Sequence, residues 1–460
     1  MKEPAKFPAA CGFRLILFIL SSFLTAALGP AADARAMAQR PPKEKPPHAA
    51  PEIPEQSLSL ADCYHLALKQ SETLAIRQEE IKKTEAVFLR AFDEALGEAH
   101  FVVSELRQEP QGVSSSDSSA STSLRELRRE RKFVIQQPLF QGFKSIGALG
   151  GAGSLRKQRK EEKIRAQELL FKDAAASFFN VIEQQKDVKA IEEIQALFAD
   201  RIQDLKEREK IGRSRASEVV MARARMKFIE AELAKSRGTS AVYRHVLEFL
   251  IGQPVSAKAL SEEAVPSRGA SLSEKEFEEV VLSRSDVEAA KQALKTARQN
   301  IIISQSGLWP EISLEHNQYE HRDGLQSGID WDLLLKVDVP LFRGGATAAK
   351  IKEAFSEWRK AKHIYRQAQK AAKLEIQESY QNWASAVDQF EALREAVYES
   401  EENFRLQKEE YARNLVSNLD VLQALESLFE ARRSANHVYY EMKKNYWNWQ
   451  TALGKCCESL

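Results

Sequence analysis

The placement of proline constrains this chain more than any other feature. Nine of its 15 prolines fall in the first 54 residues; the others are Pro110, Pro138, Pro254, Pro266, Pro310 and Pro340. Inside a helix proline removes a hydrogen bond and clashes with the preceding turn, at about 3 kcal/mol. The stretch between Pro138 and Pro254 and the stretch after Pro340 contain none. Both are rich in Ala, Glu, Lys, Arg, Leu and Gln, the residues most at ease in a helix. Each therefore reads as long helix. From Ser145 to Ile211 a helix would run roughly 100 Å at ~1.5 Å per residue.

A helix of that length needs partners alongside it, and the apolar spacing says what kind. Val181, Val188 and Ile202 share one position of a seven-residue rhythm, interrupted by Gln195, and Ile191, Phe198 and Leu205 share another. That is the seam of a coiled coil. Each long stretch turns once. The first turn lies around Lys210-Ile211-Gly212-Arg213-Ser214-Arg215, with Ser217-Glu218 expected to open the next helix. The second lies around Asn414-Leu415-Val416-Ser417-Asn418, with Asp420 just inside. Ser or Asn ahead of an acid suits a helix start, where free N–H groups and the dipole favour negative charge.

The two stretches are related by an internal repeat. Pro138-Leu139-Phe140-Gln141-Gly142 recurs as Pro340-Leu341-Phe342-Arg343-Gly344, Glu218-Val219 as Asp420-Val421, and Gly252 as Gly454, each 202 residues later. One constant offset predicts two hairpins of equal length, with tips near 212 and 416. Earlier, Gln70-Ser71-Glu72-Thr73 corresponds to Arg284-Ser285-Asp286-Val287 at an offset of 214. The extra length belongs between the opening helix and the Pro-Leu-Phe motif, where strands and a loop are expected.

The clearest strand has Ile329, Trp331, Leu333, Leu335, Val337 and Val339 on one face, alternating with Asp330, Asp332, Lys336 and Asp338. Residues about 328–340 and 311–320 are expected as strands of the second repeat, and about 99–107 and 131–138 as those of the first. A Ser-rich loop, Ser114 to Ser123, joins the latter pair, and much of the charged run Leu124 to Lys132 is expected outside any membrane. The best strand is long enough to cross a bilayer at a tilt. Four strands cannot close a barrel, which takes about eight at least, and lipid tolerates no bare strand edge. A membrane wall built from this chain must be shared between copies, two giving eight strands and three giving twelve.

Residues 1–38 read as a signal peptide. Lys2, Lys6 and Arg14 precede the apolar run Leu15 to Leu28, followed by the small-residue cleavage sites ending at Ala36 and Ala38. Residues 39–57 form a Pro-rich leader. Cys11 precedes the apolar run, so it is not the acylated cysteine of a lipoprotein. Beyond that segment only Cys63, Cys456 and Cys457 remain: Cys63 pairing with one of the other two, and unpaired thiols, are both open. Net charge is +1 and mean hydropathy −0.43, which gives no push toward nucleic acid.

In order and spacing these features resemble the outer membrane efflux proteins, the TolC family. The carrying residues are Leu58-Ser59-Leu60-Ala61 with Ala67-Leu68, the two Pro-Leu-Phe-x-Gly motifs, Gly307-Leu308-Trp309-Pro310 before a strand, and the two hairpin tips. The resemblance implies a mainly α chain with a membrane β-barrel. Long antiparallel helical hairpins would form a tunnel, and four strands per chain would join a twelve-stranded barrel in a homotrimer. It implies a first repeat at 58–254, a linker at 255–275, a second repeat at 276–454 and a tail at 455–460. Function would be that of a passive exit duct of a tripartite efflux pump or type I secretion system. Its place would be the outer membrane of a Gram-negative bacterium, in contact with outer-membrane lipid. Its partners would be a periplasmic adaptor and an inner-membrane transporter. The competing reading is a soluble periplasmic coiled-coil adaptor or structural protein without a barrel.

The resemblance also assigns residues. Asp420 and Gln423 match the positions that ring the periplasmic pore, Gln423 standing where many relatives have a second Asp; Asp420 reads equally as a first-turn helix acid. Gly212, Arg213, Arg215, Ser217, Asn414 and Leu415 lie at the tips, where relatives meet their adaptor. The basic first tip, with Arg208 and Lys210 also, fits either an acidic partner surface or plain solvation. Pro138, Gly142, Pro340 and Gly344 mark the passage from barrel to helix. No catalytic arrangement is found: the histidines form no H-E-x-x-H, and Gly147, Gly150, Gly151 and Gly153 lack the Gly-Lys-Ser/Thr ending of a phosphate loop. No enzyme, cofactor or metal is expected, and Tyr439, Tyr440, Tyr446, Trp447 and Trp449 read as packing near a waist.

Overall fold

The computed structural model describes residues 58–107, 127–255, 260–262, 264–266, 273–323 and 327–455. The expected signal peptide and leader, the Ser-rich loop, Cys456 and Cys457 lie outside the described residues. In chain order the elements are α1 (Leu60–Gln70), α2 (Glu72–Leu96), β1 (Glu98–Arg107), β2 (Leu127–Gln141), α3 (Lys144–Lys210), α4 (Ala216–Ile251), α5 (Glu274–Ser283), α6 (Ser285–Gln305), β3 (Glu311–Arg322), β4 (Trp331–Asp338), α7 (Ala346–Ala412) and α8 (Asn418–Ala452).

The uninterrupted stretches are helix from end to end. α3 and α7 are each 67 residues, about 100 Å. α4 and α8 return along them for 36 and 35 residues. Helix breaks at Ser71 and Arg284 fall where the two opening segments correspond, Ser71 capping α2 through Leu74 N–H.

The seam residues are buried in two successive clusters. Toward the tips, Ile191, Phe198 and Leu205 of α3 pack with Val219 and Leu233 of α4 and with Tyr411, Val421 and Leu425. Farther back, Phe171, Phe178, Phe179 and Val181 pack with Leu60 and Cys63 of α1, Leu247 of α4, and Tyr440 and Trp447 of α8. Trp383 stacks on Trp449, centroids 5.1 Å apart, in a third cluster with Ile376 and Met442. Burial and the neighbouring Asp62 charge push the Cys63 thiol up to about 12.

The strands form one antiparallel sheet in the order β1-β2-β3-β4. The bounds of β2 and β4 correct the sequence reading. β2 starts at Leu127, not near 131, and takes in the charged run. Opposite charges on neighbouring strands make that possible: Arg129 Nε lies 3.1 Å from Glu105, and the Glu130 and Arg322 side chains face each other at 3.8 Å. β2 also runs on past Pro138, which sits at a register shift. β4 is shorter than expected, so Ile329 and Val339 flank it. Its last pair is Asp338 with Glu311, and beyond that lies Pro310, which has no N–H to offer.

Candidate functional site

Two regions carry what the sequence marked, the sheet and the paired tips. In the sheet, register sorts the side chains onto two faces. Phe101 lies opposite Phe133, with ring centroids 4.7 Å apart. The same row continues through Gln318 to Trp331, and parallel rows bring Leu314 to Leu335 and His316 to Leu333. Phe101, Phe133, Trp331, Leu333, Leu335 and Val337 are all solvent-exposed in the single chain. The opposite face is polar and internally bonded. Asn317 Nδ2 donates to Glu315 at 3.0 Å and to Asp332 at 2.9 Å, and Tyr319 OH donates to the second Asp332 oxygen at 2.7 Å. The sheet thus has one oily face, one hydrogen-bonded polar face, and an outer edge on each of β1 and β4 that is open within the described residues.

The turn from sheet to helix is tight. Gly142 and Gly344, 202 residues apart, both adopt left-handed φ, +59° and +58°. A Cβ on Gly142 would sit 2.8 Å from Trp309 Cβ. Phe143 packs edge-on between Phe140 and Trp309 at the same junction. A little farther along α3, a Cβ on Gly147 would meet Ile303 at 2.9 Å, so that small residue serves close packing of α3 on α6.

At the other end, the tips share a backbone device that the sequence reading did not pair. Gly212 and Asn414, again 202 apart, have φ of +74° and +60°. After each, a main-chain N–H reaches back five residues, Arg213 to Arg208 O at 2.8 Å and Leu415 to Glu410 O at 3.0 Å. This ends a helix by satisfying its orphan carbonyls, with Gly the first choice at the left-handed position and Asn the second. The restarts differ. Ser417 caps α8 reciprocally: its N–H and Oγ–H donate to Asp420 at 2.8 and 2.7 Å, and these bonds hold the Asp420 carboxyl below its usual pKa. At the first tip the cap position is Arg215, and Ser217 lies inside α4, which corrects the expected helix start. Ser214 stands in by donating to Glu218 at 2.6 Å.

The tips lie side by side, joined by residues that sequence reasoning missed. Arg201 of α3 is buried and donates to Asn418 Oδ1 at 3.0 and 2.8 Å. Its guanidinium lies 3.9 Å from the centroid of the Tyr411 ring, and that of Arg208 lies 4.6 Å away. Asp204 accepts from both arginines, at 2.8 and 3.1 Å. Arg225 and Glu426 add a bridge between α4 and α8 at 2.9 Å. Gly212, Arg213, Arg215, Ser217, Asn414 and Leu415 are all exposed around this joint, Leu415 at 70%. Gln423 is exposed one turn beyond Asp420 on the same side of α8. Among the described residues, no helix is long and apolar enough to cross a membrane.

A four-stranded sheet with one apolar and one polar face, mounted on long antiparallel helical hairpins, defines the fold class. Residues 277–455 match the family described as outer membrane efflux protein. Cation efflux system protein CusC of Escherichia coli K12 is 25% identical over 299 residues, 62% of this chain and 64% of CusC. The chain thus spans just under two thirds of that relative. Outer membrane protein TolC of Vibrio cholerae is 20% identical over 70% of this chain and 76% of its own. Alkaline protease secretion protein AprF of Pseudomonas aeruginosa is 20% identical over 84% and 82%. In fold, the crystal structures of CusC and of VceC from Vibrio cholerae superpose with TM-scores of 0.74 and 0.75 at 19% identity, each covering 86% of this chain and 91% and 96% of theirs. The chain is thus similar over residues 277–455 to the outer membrane efflux proteins, and in fold to CusC and VceC.

Proposed function

We propose that this chain is one subunit of a homotrimeric exit duct, a passive conduit from periplasm to exterior serving an efflux pump or a type I secretion system. The observation that carries the reading is the four-stranded sheet, polar on one face, apolar on the other, with both outer edges unpaired within the described chain. Lipid penalises each unsatisfied peptide group by several kcal/mol, so such a sheet is tolerated there only when neighbouring copies complete its ladder. Three copies give twelve strands. A barrel-less periplasmic adaptor has no use for these features.

The flanks support assembly edge to edge. α2 packs on α3, α3 on α6 and α6 on α7, so α2 and α7 lie at opposite sides, as β1 and β4 do. Both flanks expose large apolar side chains, Phe88, Leu89 and Phe92 on α2 and Phe355, Ile364 and Leu374 on α7. Leu341 and Phe342 beside β4 are 92% and 88% exposed. Burying them against the next copy would stabilise a ring. The repeats at 58–254 and 276–454 would each supply one hairpin and two strands.

In this reading Asp420 and Gln423 of each copy line the periplasmic mouth. The tip residues Gly212, Arg213, Arg215, Ser217, Asn414 and Leu415 meet a periplasmic adaptor, itself bound to an inner-membrane transporter. CusC is named for cation efflux and AprF for protease secretion; we take cargo to be chosen by the transporter, with the duct passive. The test is fractionation. The protein should sediment with the outer membrane and run as a heat-sensitive oligomer three times the monomer mass. A stable monomer in the soluble periplasm refutes the proposal. Reversing charge at Arg213 and Arg215 with no loss of efflux or export would remove those two from the adaptor contact.

A further inference from the structure

Roughly 60 Å along α3 from the sheet, three side chains with metal-binding atoms converge. Glu183 comes from α3 and His437 and Glu441 from α8, and one ligand atom of each lies within 4.8 Å of the other two. His437 and Glu441 are four residues apart, one helical turn, so both project from the same side of α8 toward α3. Glu183 is buried, its side chain 8% exposed, and its Oε1 is 2.7 Å from His437 Nδ1. The His437 side chain is 61% exposed, which leaves a route for an ion from solvent.

A second observation shows that this place already holds positive charge. The Lys444 ammonium is gripped by three oxygens: Glu441 Oε1 at 2.5 Å, Asn180 Oδ1 at 2.9 Å and Glu183 Oε2 at 3.2 Å. The two carboxylates against one ammonium leave a net charge of −1 between these three groups. An ammonium on a four-carbon stem is a tethered cation that can withdraw to water, so a free ion of higher charge competes with it for the same oxygens.

We propose that Glu183, His437 and Glu441 form a zinc-class transition-metal site, with Lys444 as its internal competitor. The donor set decides the class. One imidazole nitrogen and two carboxylates suit Zn²⁺ and its first-row neighbours, which complete such a set with water. Ca²⁺ wants six to eight oxygens and Mg²⁺ a near-ideal octahedron, and neither favours imidazole. Binding uses the lone pair of His437 Nδ1 and displaces the Lys444 ammonium into solvent. The bound ion would link the first hairpin to the second at mid-height, a role distinct from that of any ion passing down a tunnel.

The experiment uses the untagged full-length protein in detergent, stripped with chelator and titrated with Zn²⁺ against a chromophoric competitor. One ion per chain is expected. His437→Ala, at an exposed position, should weaken binding at least about tenfold while helical circular dichroism is unchanged. Lys444→Met should tighten it about tenfold by removing the competitor. Millimolar Mg²⁺ should not displace the ion, and Co²⁺ in its place should give the visible bands of a four-coordinate N/O site. Zinc binding that survives His437→Ala, or that Mg²⁺ competes away, would reflect scattered surface acids and overturn the site. Unchanged affinity in Lys444→Met would overturn the competitor role.

Discussion

Replacing Arg201 tests whether the two tips are held together by the joint described above. Methionine keeps much of the volume and removes every donor. Two charge-assisted bonds to Asn418 Oδ1 and the one to Asp204 vanish, and a bond of that kind contributes about 1.5–3 kcal/mol. Asn418 Nδ2 already has no partner, so the substitution leaves the whole buried amide unsatisfied. The stacking of Arg201 on Tyr411 at 3.9 Å adds about 1–2 kcal/mol. Against this stands the relief of unburying a guanidinium, whose own pKa burial holds below the ordinary arginine value. The net local loss is about 2–3 kcal/mol. Native-state hydrogen exchange reads it directly. Amides in the first turns of α8, from Val421 to Leu425, should exchange roughly 30–100-fold faster, at tenfold per ~1.4 kcal/mol. Amides around Phe178, far along α3, should not change. In a Tyr411→Leu background the same substitution should cost less, because part of its interaction is already gone. Exchange at Val421 to Leu425 altered by less than about threefold would refute the claim that Arg201 couples the tips.

Three other outcomes are expected. Phe171→Ala removes a fully buried ring that meets Tyr64 and Trp447 edge-on at 5.1 and 5.3 Å, and should cost about 3–5 kcal/mol in the helical part, seen as a lowered urea midpoint by circular dichroism. Asp420→Asn keeps an oxygen to accept from Ser417 but removes the charge, so single channels should resist block by divalent cations while the helix stays capped; unchanged block would leave Asp420 a capping residue only. Burial pushes the Glu375 carboxyl up, but the hydrogen bond and charge of Arg284, with Arg165 beside it, outweigh that and hold its pKa below the ordinary value of 4.5. A depressed folded pKa stabilises above the unfolded value and is lost as pH falls through the folded one. The Tm gap between wild type and Glu375→Gln should therefore be full at pH 7 and close as pH drops below about 4.5.

The hairpins were legible because two independent signals agreed. Proline-free composition set their extent, and the heptad of Ile191, Phe198 and Leu205 set the buried face. β4 was legible in type because its alternation is complete, and imprecise in length because Ile329 and Val339 keep the alternation where pairing partners run out. β2 was read short because a charged run looks unlike a strand until its neighbours are known, and Glu105 and Arg322 come from other strands. The expected start at Ser217 fails for a local reason: Ser-Glu is a fair cap sequence, but the cap falls on Arg215, 202 residues before Ser417. The offset that paired Glu218 with Asp420 also pairs Gly212 with Asn414, so the shared left-handed turn was within reach. The Arg201–Asn418 joint was not, since its partners are 217 residues apart and neither stands out by type or spacing.

One core has an ordering consequence for biogenesis. The cluster around Phe171 takes Leu60 and Cys63 from the start of the described chain and Trp447 from near its end. A polypeptide threading outward from its amino end cannot complete that cluster until the last helix has emerged. In an exported chain, as proposed above, the long helices would lack this central clasp until then. Closure at the waist then falls to the final segment, so the register of both halves is locked in only once the whole length is across.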